Sequence, residues 1–150
     1  DSIIVDAFLV DSSPSHLNTK EFYELIRNKL TQNGIVVLNS FGFVDPVSMT
    51  TKSIFKTLKS VFTQVRVYSI NNANVFFVAS NSQLITDRSK YNIENVPDEI
   101  KSDLISLLNS ETELDLSSGI LLTDSFNPID SLDIEQRERV RRMALSSSSR

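Results

Sequence analysis

The chain has 150 residues, 40% of them hydrophobic, enough for one domain that buries roughly two thirds of its unfolded surface. Its formal net charge of -4 offers no field that gathers a polyanion, so no nucleic-acid partner is expected, whereas small cations are compatible. There is no cysteine, which removes disulfides, thiolate nucleophiles and cysteine-containing zinc sites. No run approaches the ~20 apolar residues that span a bilayer, and no signal-peptide pattern opens the chain, so a soluble segment without membrane contact is expected. An apolar run follows Asp1 almost at once, as at a cut or processed end.

Ile3, Ile4 and Val5 lead an apolar run to Val10, broken by Asp6. This predicts a strand buried on both faces, with the carboxylate near its C-terminal end. Polar residues 11–18, with Pro14 among them, read as a loop. Asn18 and Glu21 resemble a capping box, and Phe22, Leu25, Ile26 and Leu30 recur at helical spacing, so a helix is expected over residues 19–30. Asn33 and Gly34 are expected to close it in the left-handed conformation before an apolar strand at residues 35–38. A strand, a helix and a strand in that span form a βαβ unit, whose strands must run parallel.

Met49, Ile54, Phe55, Leu58, Val61 and Phe62 mark a second helix. Val65, Val67 and Ile70 alternate, residues 75–79 form another apolar run, and Asn71-Asn72-Ala73-Asn74 between them suits a hairpin turn. Pro97 is placed to open a helix carrying Ile100, Leu104, Leu107 and Leu108. Residues 114–122 read as a loop with some strand character. A last helix over residues 132–145 ends the domain, and residues 146–150 form a serine-rich tail expected to be disordered. Parallel strands that finish in an antiparallel hairpin are the ending expected of a Rossmann-like, class I S-adenosylmethionine-dependent methyltransferase sheet. The expected fold class is therefore α/β, the C-terminal half of such a domain.

The chemistry is narrowed by elimination. The single histidine, His16, has no cysteine partners and reads as a loop residue; no glycine-serine-glycine elbow supports a serine hydrolase. A nucleotide-type cofactor needs a glycine-rich strand-to-helix turn, where backbone approaches ligand closely. The three glycines, Gly34, Gly42 and Gly119, fall in no such motif, so no complete cofactor site is expected in this segment. Ligands of open α/β sheets bind beyond the carboxyl ends of the parallel strands, which is where Asp6 and Asp11 fall. On position alone, Asp6 reads equally well as a residue that begins or caps the loop. Glu135, Arg137, Glu138, Arg139, Arg141 and Arg142 give the last helix a mixed, locally basic face, read as a solvated surface.

The stretch DSIIVDAFLVDSSPSHLNTKEFYELIRNKLTQNGIVVLNS resembles the segment of spermidine synthase-like proteins, the polyamine aminopropyltransferases, in which a strand ends in an aspartate and a proline loop leads to a helix of the type T-K-E-F-Y-E-L. The later LLTDSFNPID resembles their T-D-D-x-x-P element. The resemblance implies aminopropyl transfer from decarboxylated S-adenosylmethionine to an amine, with release of methylthioadenosine, in a cytoplasmic enzyme. It implies that Asp6 is the proton-accepting aspartate, that Pro14 lines the nucleoside pocket, and that Asp124 belongs to the late motif as a substrate-binding residue. The family's D-S-S-D reads Asp6-Ala7-Phe8-Leu9 here, so Leu9 stands where the second carboxylate would hold the amine, and Asp11 is the candidate to take its place.

The resemblance implies that the cofactor-binding half lies outside this segment, so this piece alone is expected to be inactive, with decarboxylated S-adenosylmethionine or S-adenosylmethionine implied only for the complete domain. Two further readings stay open: a methyltransferase-like protein with another substrate, and a non-catalytic binding or oligomerisation module. The expected partners are a small-molecule amine and a nucleoside substrate. The first strand would be an unpaired edge with an uncovered apolar face, so either the missing N-terminal half or a second copy in a homo-oligomer is expected to cover it.

Overall fold

In the computed structural model, residues 1–7, 14–70, 74–84, 92–115 and 117–147 are described. The elements in chain order are β1 (Ser2–Val5), α1 (Lys20–Lys29), β2 (Ile35–Phe41), α2 (Met49–Val61), β3 (Gln64–Ile70), β4 (Asn74–Ser80), α3 (Asp98–Asn109) and α4 (Ile129–Ser147). They build one four-stranded sheet in the order β1-β2-β4-β3. β1 and β2 are parallel, with Ser2 opposite Ile35 and Val5 opposite Leu38. β3 and β4 form the expected hairpin, and β4 is antiparallel to both neighbours because the hairpin folds back into the space beside β2. Three residues of the expected turn, 71–73, lie outside the described residues.

The strand period of two divides the sheet into faces. Val36 and Leu38 of β2, Val67 of β3 and Val75, Phe77 and Ala79 of β4 point into one apolar cluster with Tyr23 and Ile26 of α1 and Ile54 and Leu58 of α2. The other face carries Ile35, Val37, Phe76 and Val78, which with Leu107 and Leu108 of α3 line an apolar groove of about 490 Å³.

β1 departs from the expectation of burial on both faces. Ile3 and Val5 pack against the cluster, but Ile4 is 71% exposed. β1 is the outermost strand of the sheet, and α1 and α2 cover only the face that Ile3 and Val5 share.

α1 also differs in detail. Its N-cap is Thr19, whose Oγ1 accepts from Phe22 N at 3.2 Å, rather than Asn18. Tyr23 and Ile26 are its buried face, and Leu25 is 55% exposed, because Leu25 lies about 100° around the helix from Ile26. Gly34 is not left-handed; the helix instead ends at Leu30 in extended backbone.

α2 is covered on both sides, which accounts for its hydroxyl-rich sequence. Toward the sheet it presents Ile54 and Leu58. Toward the late segment, Ser53 Oγ accepts from Ile120 N at 3.1 Å and Thr57 Oγ1 accepts from Leu122 N at 3.0 Å. Each hydroxyl also donates to a helix carbonyl one turn back, Met49 O and Ser53 O, both at 2.7 Å. An extended backbone thus docks on a helix through side-chain oxygens, leaving no unmet N–H at those two positions. Gly119 is required there, since a Cβ on it would stand 2.5 Å from Lys52 O.

α4 begins at Ile129, three residues earlier than its apolar pattern suggested, and extends to Ser147; residues 148–150 of the serine-rich tail lie outside the described residues. It docks through Ile129 and through buried Asp133 and Gln136. Asp133 Oδ1 accepts from Thr50 Oγ1 at 2.9 Å and Gln136 Nε2 at 2.8 Å, while burial pushes its carboxyl above the ordinary value. No helix among the described residues is long and apolar enough to cross a membrane.

Two outcomes check this packing. Gly119→Ala forces the segment off Lys52 and is expected to lower stability by about 1–3 kcal/mol in chemical denaturation. For Asp133, a raised folded-state pKa favours folding below the unfolded value, and that contribution is lost as pH rises through the folded one. Asp133→Asn does not titrate, so the melting temperature of the variant should gain on the wild type as pH rises from about 4 to 7. A constant difference across that range would contradict the linkage.

Candidate functional site

Extending the β1–β2 register by one residue sets Asp6 opposite Asn39. Asp6 lies just past the end of β1 and is exposed. Asn39 is the fifth residue of β2, half-buried, and its Nδ2 donates to Asp6 Oδ1 at 3.1 Å. Asn39 Oδ1 is buried and has no hydrogen-bond partner among the described residues. A carboxylate and a carboxamide therefore stand together at the carboxyl ends of adjacent parallel strands, where open α/β sheets bind ligands.

The chain that returns from Asp6 is anchored where it re-enters the described residues. Pro14 O accepts from Leu17 N at 3.0 Å and from Asn18 Nδ2 at 3.1 Å, which shapes a single 3-10 turn, Ser15–Asn18. Tyr23 OH donates to Asn18 Oδ1 at 3.0 Å. Both side chains are buried, and burial pushes the Tyr23 hydroxyl far above its ordinary pKa, so it remains a donor.

The late motif closes on this same stretch. Leu122 O accepts from Lys20 N at 2.9 Å, Glu21 Oε2 accepts from Asp124 N at 3.0 Å, and Asn127 Nδ2 donates to Ser15 O at 2.6 Å. Thr123 and Phe126 exchange backbone bonds of 3.0 and 3.1 Å, which makes the intervening residues a tight turn with Asp124 exposed on it. The two stretches enclose a groove of about 500 Å³ lined by Ser15, His16, Glu21, Phe22, Asp124 and Asn127.

The residues singled out from sequence thus fall in three places. Asp6 sits with Asn39 at the strand ends. Pro14 supports the 3-10 turn, and Asp124 lies across the groove from it on the late turn. No hydrogen bond among the described residues joins Asp6 to Pro14 or Asp124. Asp11 and Leu9 lie outside the described residues. Among the described residues no three His, Asp or Glu side chains are grouped as a metal site would need.

Sequence reading missed Asn39, Glu21 and Asn127 as parts of this arrangement. Asn39 had a signal, a carboxamide directly after four apolar residues in a strand. Glu21 and Asn127 had none, because each acts on backbone more than 100 residues distant.

The fold is a mixed α/β sheet of parallel and antiparallel strands, similar to a methyltransferase-like one, with the exposed Asp6 carboxylate at the end of β1. No protein-family model matches the chain. Over 70 residues, 45% of the chain, it is 33% identical to polyamine aminopropyltransferase 2 of Pseudomonas aeruginosa, of which this covers 20%. The crystal structure of a probable spermidine synthase from Corynebacterium glutamicum is similar in fold, with a TM-score of 0.52 and 25% identity, over 60% of this chain and 34% of that one. In sequence and in fold the chain is similar to spermidine synthase-like proteins, and it spans about a fifth of the curated relative and a third of the solved one.

The anchor at Asn18 has a measurable consequence. Tyr23→Phe leaves Asn18 Oδ1 buried without its donor, and a loss of about 1–3 kcal/mol is expected in thermal or urea unfolding. An unchanged midpoint would mean that the bond contributes nothing.

Proposed function

We propose that this chain is the amine-binding half of an aminopropyltransferase, acting on a small amine and on decarboxylated S-adenosylmethionine as the aminopropyl donor. The observation that supports it is the Asp6 carboxylate at the carboxyl end of β1, exposed and held through one oxygen by Asn39. That hydrogen bond leaves the other carboxylate oxygen for a substrate. The likeness to a polyamine aminopropyltransferase and to a probable spermidine synthase supports the same chemistry.

In the proposed reaction the amine nitrogen forms its bond to the aminopropyl carbon while the carbon–sulfur bond breaks. The electron pair of that bond goes to sulfur, which turns the sulfonium into the neutral thioether of methylthioadenosine. Asp6 accepts the proton that the new secondary amine sheds, and by holding the nitrogen before attack it also fixes the approach. Asp11 and Asp124 are proposed to add negative charge for the rest of the amine, and Pro14 to line the nucleoside side of the loop.

The described residues hold no glycine-rich turn for the nucleoside, so in this reading further polypeptide supplies it. The same polypeptide, or a second copy of the chain, is proposed to cover Ile4 and the outer edge of β1. A cytoplasmic setting belongs to this reading as well.

The test is release of methylthioadenosine by the full-length protein given decarboxylated S-adenosylmethionine and putrescine. Asp6→Asn is expected to reduce turnover by at least about 100-fold while leaving the fold intact by circular dichroism. Absence of methylthioadenosine from the wild type, or full turnover in the variant, would sink the proposal.

A further inference from the structure

α4 carries two distinct faces. Ile129, Asp133 and Gln136 recur at intervals of four and three and are buried where the helix docks on the domain. Ile134, Glu138, Arg141 and Leu145 recur at intervals of four, three and four. At about 100° per residue this second set lies roughly 140° around the helix from the first. All four of its side chains are exposed, Ile134 by 64% and Leu145 by 62%. A single exposed apolar side chain is ordinary, but here two of them bracket a glutamate and an arginine along one line. That spacing is the seam spacing of a two-helix coiled coil.

The order of the four residues decides what fits against them. Two copies of the seam laid parallel would set Glu138 against Glu138 and Arg141 against Arg141, like charges at both central positions. Laid antiparallel, Ile134 meets Leu145 of the second copy and Glu138 meets its Arg141. The seam is therefore complementary to itself about a two-fold axis. Arg142 Nε donates to Glu138 Oε1 at 2.9 Å, which holds the Glu138 carboxyl below its ordinary pKa, so an anion faces the incoming arginine.

We infer that α4 is an interface for a second copy of this chain: two α4 helices pack antiparallel, with Ile134 on Leu145 of the second copy and Glu138 on its Arg141. The inference does not depend on the amine reading of Asp6. Four seam residues a side fall short of a standard interface of about 1,600 Å², so the association is weak, and its ion pairs make it weaker in high salt.

The experiment uses full-length protein and a short bis-maleimide cross-linker, with the wild type treated alike as the blank. Ile134→Cys mixed with Leu145→Cys is expected to give at least about fivefold more cross-linked dimer than either variant alone. In the antiparallel pair the two cysteines face each other, whereas two copies of Cys at 134 stand eleven residues apart along the axis, about 16 Å. Adding Glu138→Arg to both chains sets arginine against arginine and should cut the mixed product at least fivefold. Adding Arg141→Glu as well should restore it to within twofold, although the bond to Arg142 stays lost.

No cross-linking, or as much from either variant alone as from the mixture, overturns the inference. A mixed product that ignores Glu138→Arg, or that Arg141→Glu does not restore, does the same. Arg141→Glu alone replaces Glu138→Arg if the latter fails to fold by circular dichroism, and the same loss is expected from it.

Discussion

Four residue pairs align β1 with β2, from Ser2 opposite Ile35 to Val5 opposite Leu38, and the next step along that alignment sets Asp6 beside Asn39. A slip of one residue would turn Ile3 and Val5 out of the apolar cluster and carry Asp6 toward it. Burial of those two side chains therefore specifies the register. Polar contacts at the far end of β1 reinforce it: Asp1 O accepts from Ile35 N at 3.2 Å, and Asp1 Oδ1 accepts from Thr31 Oγ1 at 2.6 Å. The position of the strand-end carboxylate is thus a by-product of packing several residues away.

The rest of the sheet supports that pair by an inversion of chain order. β4, not β3, lies beside β2, and its buried Val75, Phe77 and Ala79 fill the cluster beneath it. α2 crosses this layer and is buried again by the late segment on its far side, so its hydroxyls replace strand partners for Ile120 and Leu122. Leu122 then holds Lys20 at the start of α1. Through this one residue the late motif, α2 and the helix that follows the Asp6 loop become a single unit.

Much of the framework was legible from local pattern. Continuous apolar runs separated by a helical period identified β1, α1 and β2 as a βαβ unit, and the alternation at Val65 and Val67 followed by a second run identified the hairpin. The details that failed were those decided by what covers a surface. Leu25 matched the helical period as well as Ile26 did, but only Ile26 faces the cluster. Asn18 matched a cap, yet its carboxamide is committed to Pro14 and Tyr23, which leaves Thr19 to cap α1.

The sequence by itself determined the α/β class, the order of helices and strands and the placing of Asp6 near a strand end, because these depend on side-chain periods within a few residues. It also carried two motifs more than 100 residues apart without indicating that they touch. Only the tertiary structure decided that Asp124 and Asn127 close on Glu21 and Ser15, that β4 enters between β2 and β3, and that Asn39 holds Asp6. Each of these depends on which surfaces bury one another, and that follows from the summed packing of the domain rather than from any local run of residues.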